Sequence, residues 1–460
     1  MKKIYKGILA CLCAAVTAIG FVGCGAESAY DIAVKNGFIG DEKAWLESLR
    51  GENGEDAEDI TAYDLYETAK EQAGYTGSFL DFCKELGVDL AGENDTRQIA
   101  ENMMSVVGVY CGFSKTTGKG LTYSTSMGSG VIIDLNKEAG NALIVTNYHV
   151  IYNNASNAEN GICDTIYLYL YGAVNRFSPE KGDLQGNGMQ ARFIGGAMDY
   201  DIALLVVEGN EYLRKSAATE AEIGSSEALK EGEKVFAIGN PEGAGISVNS
   251  GLVSVKSEYI SIGALDDRDT NKDGYADEVS YRVIRTDAAI NGGNSGGALF
   301  NARGELVGIT NAKNVGEEMD NMGYALPIDQ VMTVCDNIQD NGGVVKRAML
   351  GVMVSVEDGV ASFEGDGLTL TEKVTVAESA SRGSAAYKKL FEGDVFLWIQ
   401  VIKADGSTGE KVMIDRQYKL NDALLTVRKG DTVKLGISRD GSEVEKEISY
   451  FKADYFTQYA

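Results

Sequence analysis

Between residues 101 and 340 the apolar positions come in short runs, each cut off by Gly, Asn or Asp. Val131-Ile132-Ile133, Leu143-Ile144-Val145, Thr165 to Leu170, Ile202 to Val207, Val235 to Ile238 and Leu306 to Ile309 are rich in β-branched or aromatic residues. Runs of this length between turn formers predict the strands of an all-β domain. No long alternation of strands and helices supports a doubly wound sheet. Ile328 to Ile338 predicts a terminal helix leading out of the domain. A second β-rich module is expected over 341–455. Its strands are Val395 to Ile402 and Thr432 to Ile437, with a helix within Tyr418 to Val427.

The first hundred residues read differently. Lys2, Lys3 and Lys6 precede an apolar run from Ile8 to Val22, the pattern of a secretory signal over 1–23 and short for a permanent span. The run ends in Phe21-Val22-Gly23-Cys24, which resembles a bacterial lipobox; that resemblance implies lipid modification of Cys24. An ordinary signal peptide with an incidental cysteine is the other reading. Residues 24–100 form an acidic region with a degenerate duplication. Ala29-Tyr30-Asp31 and Ala62-Tyr63-Asp64 each precede a glycine-flanked aromatic, then Trp45 to Leu49 or Phe82 to Leu86. The helical spacing of Tyr30 with Val34 and of Trp45 with Leu49 predicts a pair of short helices per copy, and a spacer or docking role.

Apolar residues make up 44% of the 460 positions, which is enough for several cores. With 56 glycines against 3 prolines, the chain favours tight turns over proline-rich linkers. A net charge of −26 repels phosphate backbones and makes nucleic acid a poor partner. Cys83, Cys111, Cys163 and Cys335 lie far apart without C-x-x-C spacing, so a zinc cluster is not expected. Disulfides and buried thiols both remain open for them.

His149 is the only histidine, and it follows the strand Leu143 to Val145 in Thr146-Asn147-Tyr148-His149-Val150. An acid immediately before an apolar strand, Asp201 ahead of Ile202 to Leu205, suits a carboxylate that fixes an imidazole tautomer. In Asn291-Gly292-Gly293-Asn294-Ser295-Gly296-Gly297, glycines flank a serine. They let the backbone turn tightly and aim successive N–H groups at one point, as an oxyanion hole requires. The order His149, Asp201, Ser295 is the chymotrypsin-like one and differs from that of α/β-hydrolases.

These phrases resemble the HtrA/Deg family of trypsin-like serine proteases. So do Gly128-Ser129-Gly130-Val131-Ile132, Ile223 to Leu229, Gly232 to Pro241, Thr286 to Gly297 and Gly323-Tyr324-Ala325-Leu326-Pro327. The resemblance spans about 200 residues in the family's order. It implies a mainly β chain: a chymotrypsin-like double β-barrel over 101–340, followed by a PDZ-like domain. Ser295 would be the nucleophile, His149 the general base and then acid, and Asp201 the orienting carboxylate. The N–H groups of Gly293 and Ser295 would form the oxyanion hole. Ala289, Ile290 and Asn291 would line the first specificity pocket, and the absence of charge there implies a small or aliphatic residue before the cut.

Asp269, Asn271, Asp273, Tyr275 and Asp277 stand at alternating positions around Gly274, which resembles the start of an EF-hand-like or dockerin-like calcium loop. Ser280 stands where the bidentate acid is needed. Structural calcium and an acidic hairpin tip are therefore both kept; no cofactor is needed for the chemistry. Met349-Leu350-Gly351-Val352 resembles the carboxylate-binding loop of a PDZ domain, which implies capture of a peptide's C-terminus by strand addition. The match is poor between Glu357 and Glu378. The expected partners are protein or peptide substrates, a C-terminal peptide ligand, a lipid anchor and, by family analogy, a homotrimer. The expected place is the extracytoplasmic side of a bacterial cell membrane, acting on unfolded or misfolded proteins. The alternative is a peptide-binding surface lipoprotein whose protease domain is latent.

Overall fold

The computed structural model describes residues 95–158, 160–311, 322–364 and 367–459. The leader with Cys24, the acidic repeats and Cys83 lie outside the described residues. The described residues belong to a single unit, 90–460.

After a short helix α1 (Asp95–Asn102), the chain forms two closed six-stranded barrels. The first contains β1 (Val106–Thr117), β2 (Gly120–Asn136), β3 (Asn141–Thr146), β4 (Thr165–Leu170), β5 (Met189–Ala197) and β6 (Ile202–Val207), in the spatial order β1-β2-β3-β6-β5-β4. A four-residue helix α2 (Tyr148–Ile151) follows β3. The second barrel contains β7 (Lys234–Gly239), β8 (Ser247–Gly263), β9 (Glu278–Thr286), β10 (Ala298–Asn301), β11 (Leu306–Asn311) and β12 (Gly323–Pro327), ordered β8-β9-β12-β11-β10-β7. The fold is mainly β, as the short apolar runs predict.

Closure follows from the alternation along the strands. Val107, Val109, Ile144, Leu168 and Leu205 fill the first barrel, while Val235, Ala237, Ile284, Leu299 and Val307 fill the second. Each valine, leucine or isoleucine among them contributes roughly 1.5–3 kcal/mol on leaving water. Closing the sheets also leaves no long unpaired edge.

Helix α3 (Ile328–Asp340) begins directly after Pro327 and buries Ile328, Val331, Val334, Cys335 and Ile338. These positions share one helical face. That face lies against β5 and β6 of one barrel and β11 and β12 of the other, so the helix fastens the two together. Beyond it, β13 (Val345–Ala348) pairs with the final strand β19 (Phe456–Tyr459). Between them stand β14 (Met353–Glu364), β15 (Gly367–Glu378), β16 (Val395–Ile402), helix α4 (Gln417–Leu425), β17 (Thr432–Arg439) and β18 (Ser442–Ser449). The sheet runs β14-β15-β16-β17-β18, with β14 at its edge. Phe396, Ile399, Leu435, Ile437 and Tyr450 form its core.

Buried polar contacts tie this sheet module to the barrels. The Arg282 guanidinium on β9 pairs with Asp422 on α4 (2.6 Å) and Glu227 (3.1 Å), and lies 4.0 Å from the centre of the Tyr418 ring. The Asn337 amide donates to the Leu425 carbonyl (2.7 Å) and the Lys346 carbonyl (3.0 Å).

Candidate active site

The end of β3 turns into α2 and brings His149 over the start of β6. There Asp201 is fully buried and adopts a left-handed backbone, φ +51°. Asp tolerates that region better than most residues. The imidazole Nδ1 and Asp201 Oδ2 are 2.7 Å apart, and the His149 backbone N–H donates to Oδ1 at 2.9 Å. Asn311, on β11 of the other barrel, donates its amide to Oδ2 at 2.9 Å. Asn147 holds the carbonyl of Asp201 at 3.0 Å. A carboxylate held by this many donors cannot swing away, and its fixed charge sets which imidazole nitrogen carries the proton. Burial, with Tyr152 and Asp266 nearby, pushes the Tyr148 phenol up to about 12, so this neighbour of His149 stays neutral.

Ser295 lies in the turn between β9 and β10 and is almost wholly buried. Its carbonyl accepts from the Ser129 N–H (2.8 Å), while the Ser129 carbonyl accepts from the Thr146 hydroxyl (2.7 Å), three residues before His149. Ser129 thus joins the serine loop to the histidine's strand. The Ser129 hydroxyl donates to the Gly293 carbonyl (2.7 Å) and accepts from the Asn240 N–H (2.8 Å). Thr310 braces the loop from the other side. Its hydroxyl donates to the Asn294 carbonyl (2.6 Å) and its carbonyl accepts from the Gly296 N–H (2.9 Å).

The glycines of the loop are dictated by space as well as by dihedral angle. At Gly296, φ +83°, a Cβ would stand 2.2 Å from the Ser129 carbonyl oxygen. At Gly293, φ +94°, it would stand 2.4 Å from the Asn240 carbonyl oxygen. The Asn294 N–H closes the turn onto the Asn291 carbonyl at 2.9 Å. The Gly292 carbonyl accepts from the Glu242 N–H at 2.8 Å. C=O and N–H point oppositely across a trans peptide, so the Gly293 N–H faces away from the Glu242 segment. Ala289 and Asn291 are exposed and Ile290 is half-buried. A side chain at Gly323 would meet Ile290 Cδ1 at 2.8 Å, so Ile290 occupies the space over the start of β12.

The sequence family described as "Trypsin-like peptidase domain" matches residues 128–309. The "Serine protease Do-like HtrA" of Lactobacillus helveticus is 29% identical over 345 residues, covering 73% of this chain and 70% of that protein. That of Bacillus subtilis strain 168 is 30% identical over 332 residues, covering 70% and 64%. The chain is an HtrA/Deg-like serine endopeptidase of the trypsin family. A solved structure titled "HtrA-type protease AlgW with tripeptide" aligns with 78% of this chain and 96% of that one, at 24% identity and a TM-score of 0.48.

In this HtrA-like protease the sequence singled out His149, Asp201 and Ser295, and missed the residues that brace them. Asn311, Thr310 and Glu242 belong to no local motif, and Ser129 was read only as part of the phrase Gly128 to Ile132. Their roles arise from pairings between segments far apart in the chain.

The other sequence candidates lie elsewhere. The loop before β9 uses its oxygens on its own backbone. Asp269 Oδ1 and Asn271 Oδ1 accept from the Asp273 N–H, at 3.1 and 3.0 Å. Asp269 Oδ2 accepts from the Gly274 N–H (2.9 Å), and Asp273 from the Tyr275 N–H (2.9 Å). Asp277 accepts from the Thr270 hydroxyl at 2.7 Å, and the Tyr275 side chain is exposed. Among the described residues, no three His, Cys, Asp or Glu gather as a metal site would need, so calcium gains no support. Met349, Leu350, Gly351 and Val352 precede the edge strand β14; the Gly351 carbonyl accepts from the Ser381 N–H (2.9 Å) and the Leu350 carbonyl from that of Ala386 (3.3 Å). Among the described residues, no helix is long and apolar enough to cross a membrane.

Proposed function

We propose that this protease cuts peptide bonds through an acyl-enzyme on Ser295. His149 takes the serine proton as Ser295 Oγ attacks the carbonyl carbon, and later returns it to the leaving amine. Asp201 stays ionised and stabilises the imidazolium that forms. The backbone N–H groups of Gly293 and Ser295 receive the negative oxygen of the tetrahedral intermediate. The observation that carries this reading is the double hold of Asp201 on His149, 2.7 Å to the ring and 2.9 Å to the backbone. The outward-held Gly292 carbonyl supports it, because it leaves the Gly293 N–H facing the other way.

Ala289, Ile290 and Asn291 bring no charged group to the first pocket, which supports small or aliphatic residues before the cut. The substrates on this reading are unfolded or misfolded proteins outside the cytoplasm, reached from a lipid anchor at Cys24. The edge position of β14 supports a PDZ-like role for the carboxy-terminal module, in which a peptide adds as a further strand with its carboxylate at Met349 to Val352. A trimeric assembly rests on family analogy alone.

The test is cleavage of casein by the mature chain and by Ser295→Ala. Cleavage by the first and none by the second is expected. Cleavage that survives the substitution would overturn the assignment of Ser295. Cleavage by neither form, across several substrates and C-terminal peptides, would favour a latent protease that serves as a peptide-binding scaffold.

A further inference from the structure

The first barrel carries a pair of thiols that the peptidase chemistry does not use. Cys111 sits in the middle of β1, fully buried, and Cys163 lies two residues before β4, half-buried. Cys111 belongs to the barrel's core cluster, Cys163 packs against that cluster from its edge, and the two thiols are neighbours there. The backbone fixes their approach from both sides. The Cys163 N–H donates to the Ile151 carbonyl at the end of α2 (2.9 Å), and the Asp164 N–H donates to the Gly112 carbonyl of β1 (2.8 Å). Cys163 also lines an open cleft of about 700 Å³, together with Asp164, Gln190, Arg192 and Glu208. One thiol therefore faces solvent, and the other waits behind it in the core.

We propose that Cys111 and Cys163 are an oxidisable pair that closes to a disulfide by exchange with a small disulfide entering this cleft. The Cys163 thiol gives its proton to water in the cleft and, as thiolate, attacks one sulfur of the incoming disulfide, forming a mixed disulfide and expelling one thiolate. Cys111 then loses its proton to solvent and attacks the Cys163 sulfur, which expels the second thiolate. Two protein thiols are oxidised and one external disulfide is reduced to two thiols, so electrons and atoms balance. The Cys111 thiol titrates well above its usual value, first because it is buried and then because of the Cys163 thiol beside it. The second step is accordingly the slow one.

The link would close a loop from 111 to 163, and His149 lies inside it. Its effect is to restrict the unfolded chain and to pin the end of α2. Resistance to heat should rise, while the catalytic residues keep their contacts.

The experiment treats the full chain with oxidised glutathione, or with dithiothreitol, then alkylates free thiols and maps the peptides by mass spectrometry. Expected is a cross-linked pair of peptides carrying Cys111 and Cys163, with the loss of two hydrogens, and a thermal midpoint several degrees above the reduced protein. Cys163→Ser should keep casein cleavage and lose the redox-dependent shift. This variant leaves the core residue untouched, so it guards against misfolding of a Cys111 variant. Glutathione persisting on Cys163 with Cys111 still alkylatable after denaturation would overturn the proposal, as would both thiols remaining free. Both readings are independent of whether Ser295 is the nucleophile.

Discussion

The backbone N–H of Glu242 donates to the carbonyl of Gly292 at 2.8 Å, which fixes the peptide plane leading into Gly293. Glu242 itself is held at φ +52°, an uncommon backbone state for a non-glycine residue. The contact stands one residue from the N–H proposed to receive the oxyanion. Were the Gly292 carbonyl released, the plane could turn over and present an acceptor where a donor is needed.

Gly293→Ala tests this directly. The new methyl would stand 2.4 Å from the Asn240 carbonyl oxygen and 2.6 Å from the Glu242 nitrogen, in a backbone region that favours glycine. The turn must open, and the donor is lost from its place. A fall in kcat of about 10²- to 10³-fold is expected, the size seen when one such donor is removed elsewhere. Steady-state kinetics on a peptide substrate, with circular dichroism to verify folding, would check it. Unchanged kcat in a folded variant would remove Gly293 from the oxyanion hole.

Asn311 reaches across from the second barrel to the buried Asp201 carboxylate at 2.9 Å. Asn311→Ala removes a donor to a charged group and should cost roughly 1–3 kcal/mol of stability. Asn311→Asp should be worse for activity, because two adjacent carboxylates cannot both stay ionised in a buried site. Denaturant unfolding and kcat/KM of both variants at pH 7 would show it. Equal activity of the alanine and aspartate variants would mean that this contact does not govern Asp201.

Ile290 fills the space over Gly323 and is the bulkiest side chain offered to the proposed first pocket. Ile290→Ala should therefore enlarge that pocket and move the preferred residue before the cut toward larger aliphatic or aromatic types. Each methylene gained or lost in such a pocket is worth about 1–3 kcal/mol of discrimination. A peptide library read by mass spectrometry would measure the shift. An unchanged profile would place the pocket's limit at another residue.

The site was legible in the sequence where backbone geometry forces a residue type. Gly293 and Gly296 must be glycine, and that requirement leaves a local signature around Ser295. His149 and Asp201 were legible because each adjoins an apolar strand. Asn311 was not, since it reads only as the residue after a strand-like run; its meaning comes from a partner 110 positions away. Arg282 was not legible either: it stands on β9 among apolar neighbours, yet its guanidinium is buried between two carboxylates. The Asp269 loop shows the converse. Alternating oxygens suit a cation, but the same spacing lets Asp and Asn cap the turn's own N–H groups.

The junction held by Arg282 should respond to pH through Asp422. Burial raises its carboxyl to about 6; Arg282 and the Gln330 amide pull the other way, and Glu227 and Asp329 add to the rise. The folded value thus lies above the unfolded one, near 3.8. In that window the folded chain binds the proton more tightly, so this group's contribution to stability grows as pH falls through about 6 toward 4. Above about 6 the ionised group costs the fold roughly 3 kcal/mol relative to its protonated form. Asp422→Asn keeps the shape and the contact with Gln330 but cannot titrate. The thermal midpoint of the parent chain should therefore gain on Asp422→Asn as pH drops from 7 to 4.5, in scans at matched ionic strength. Parallel midpoints for the two proteins across that range would show that desolvation of Asp422 does not limit the junction, and that Arg282 compensates the charge in full.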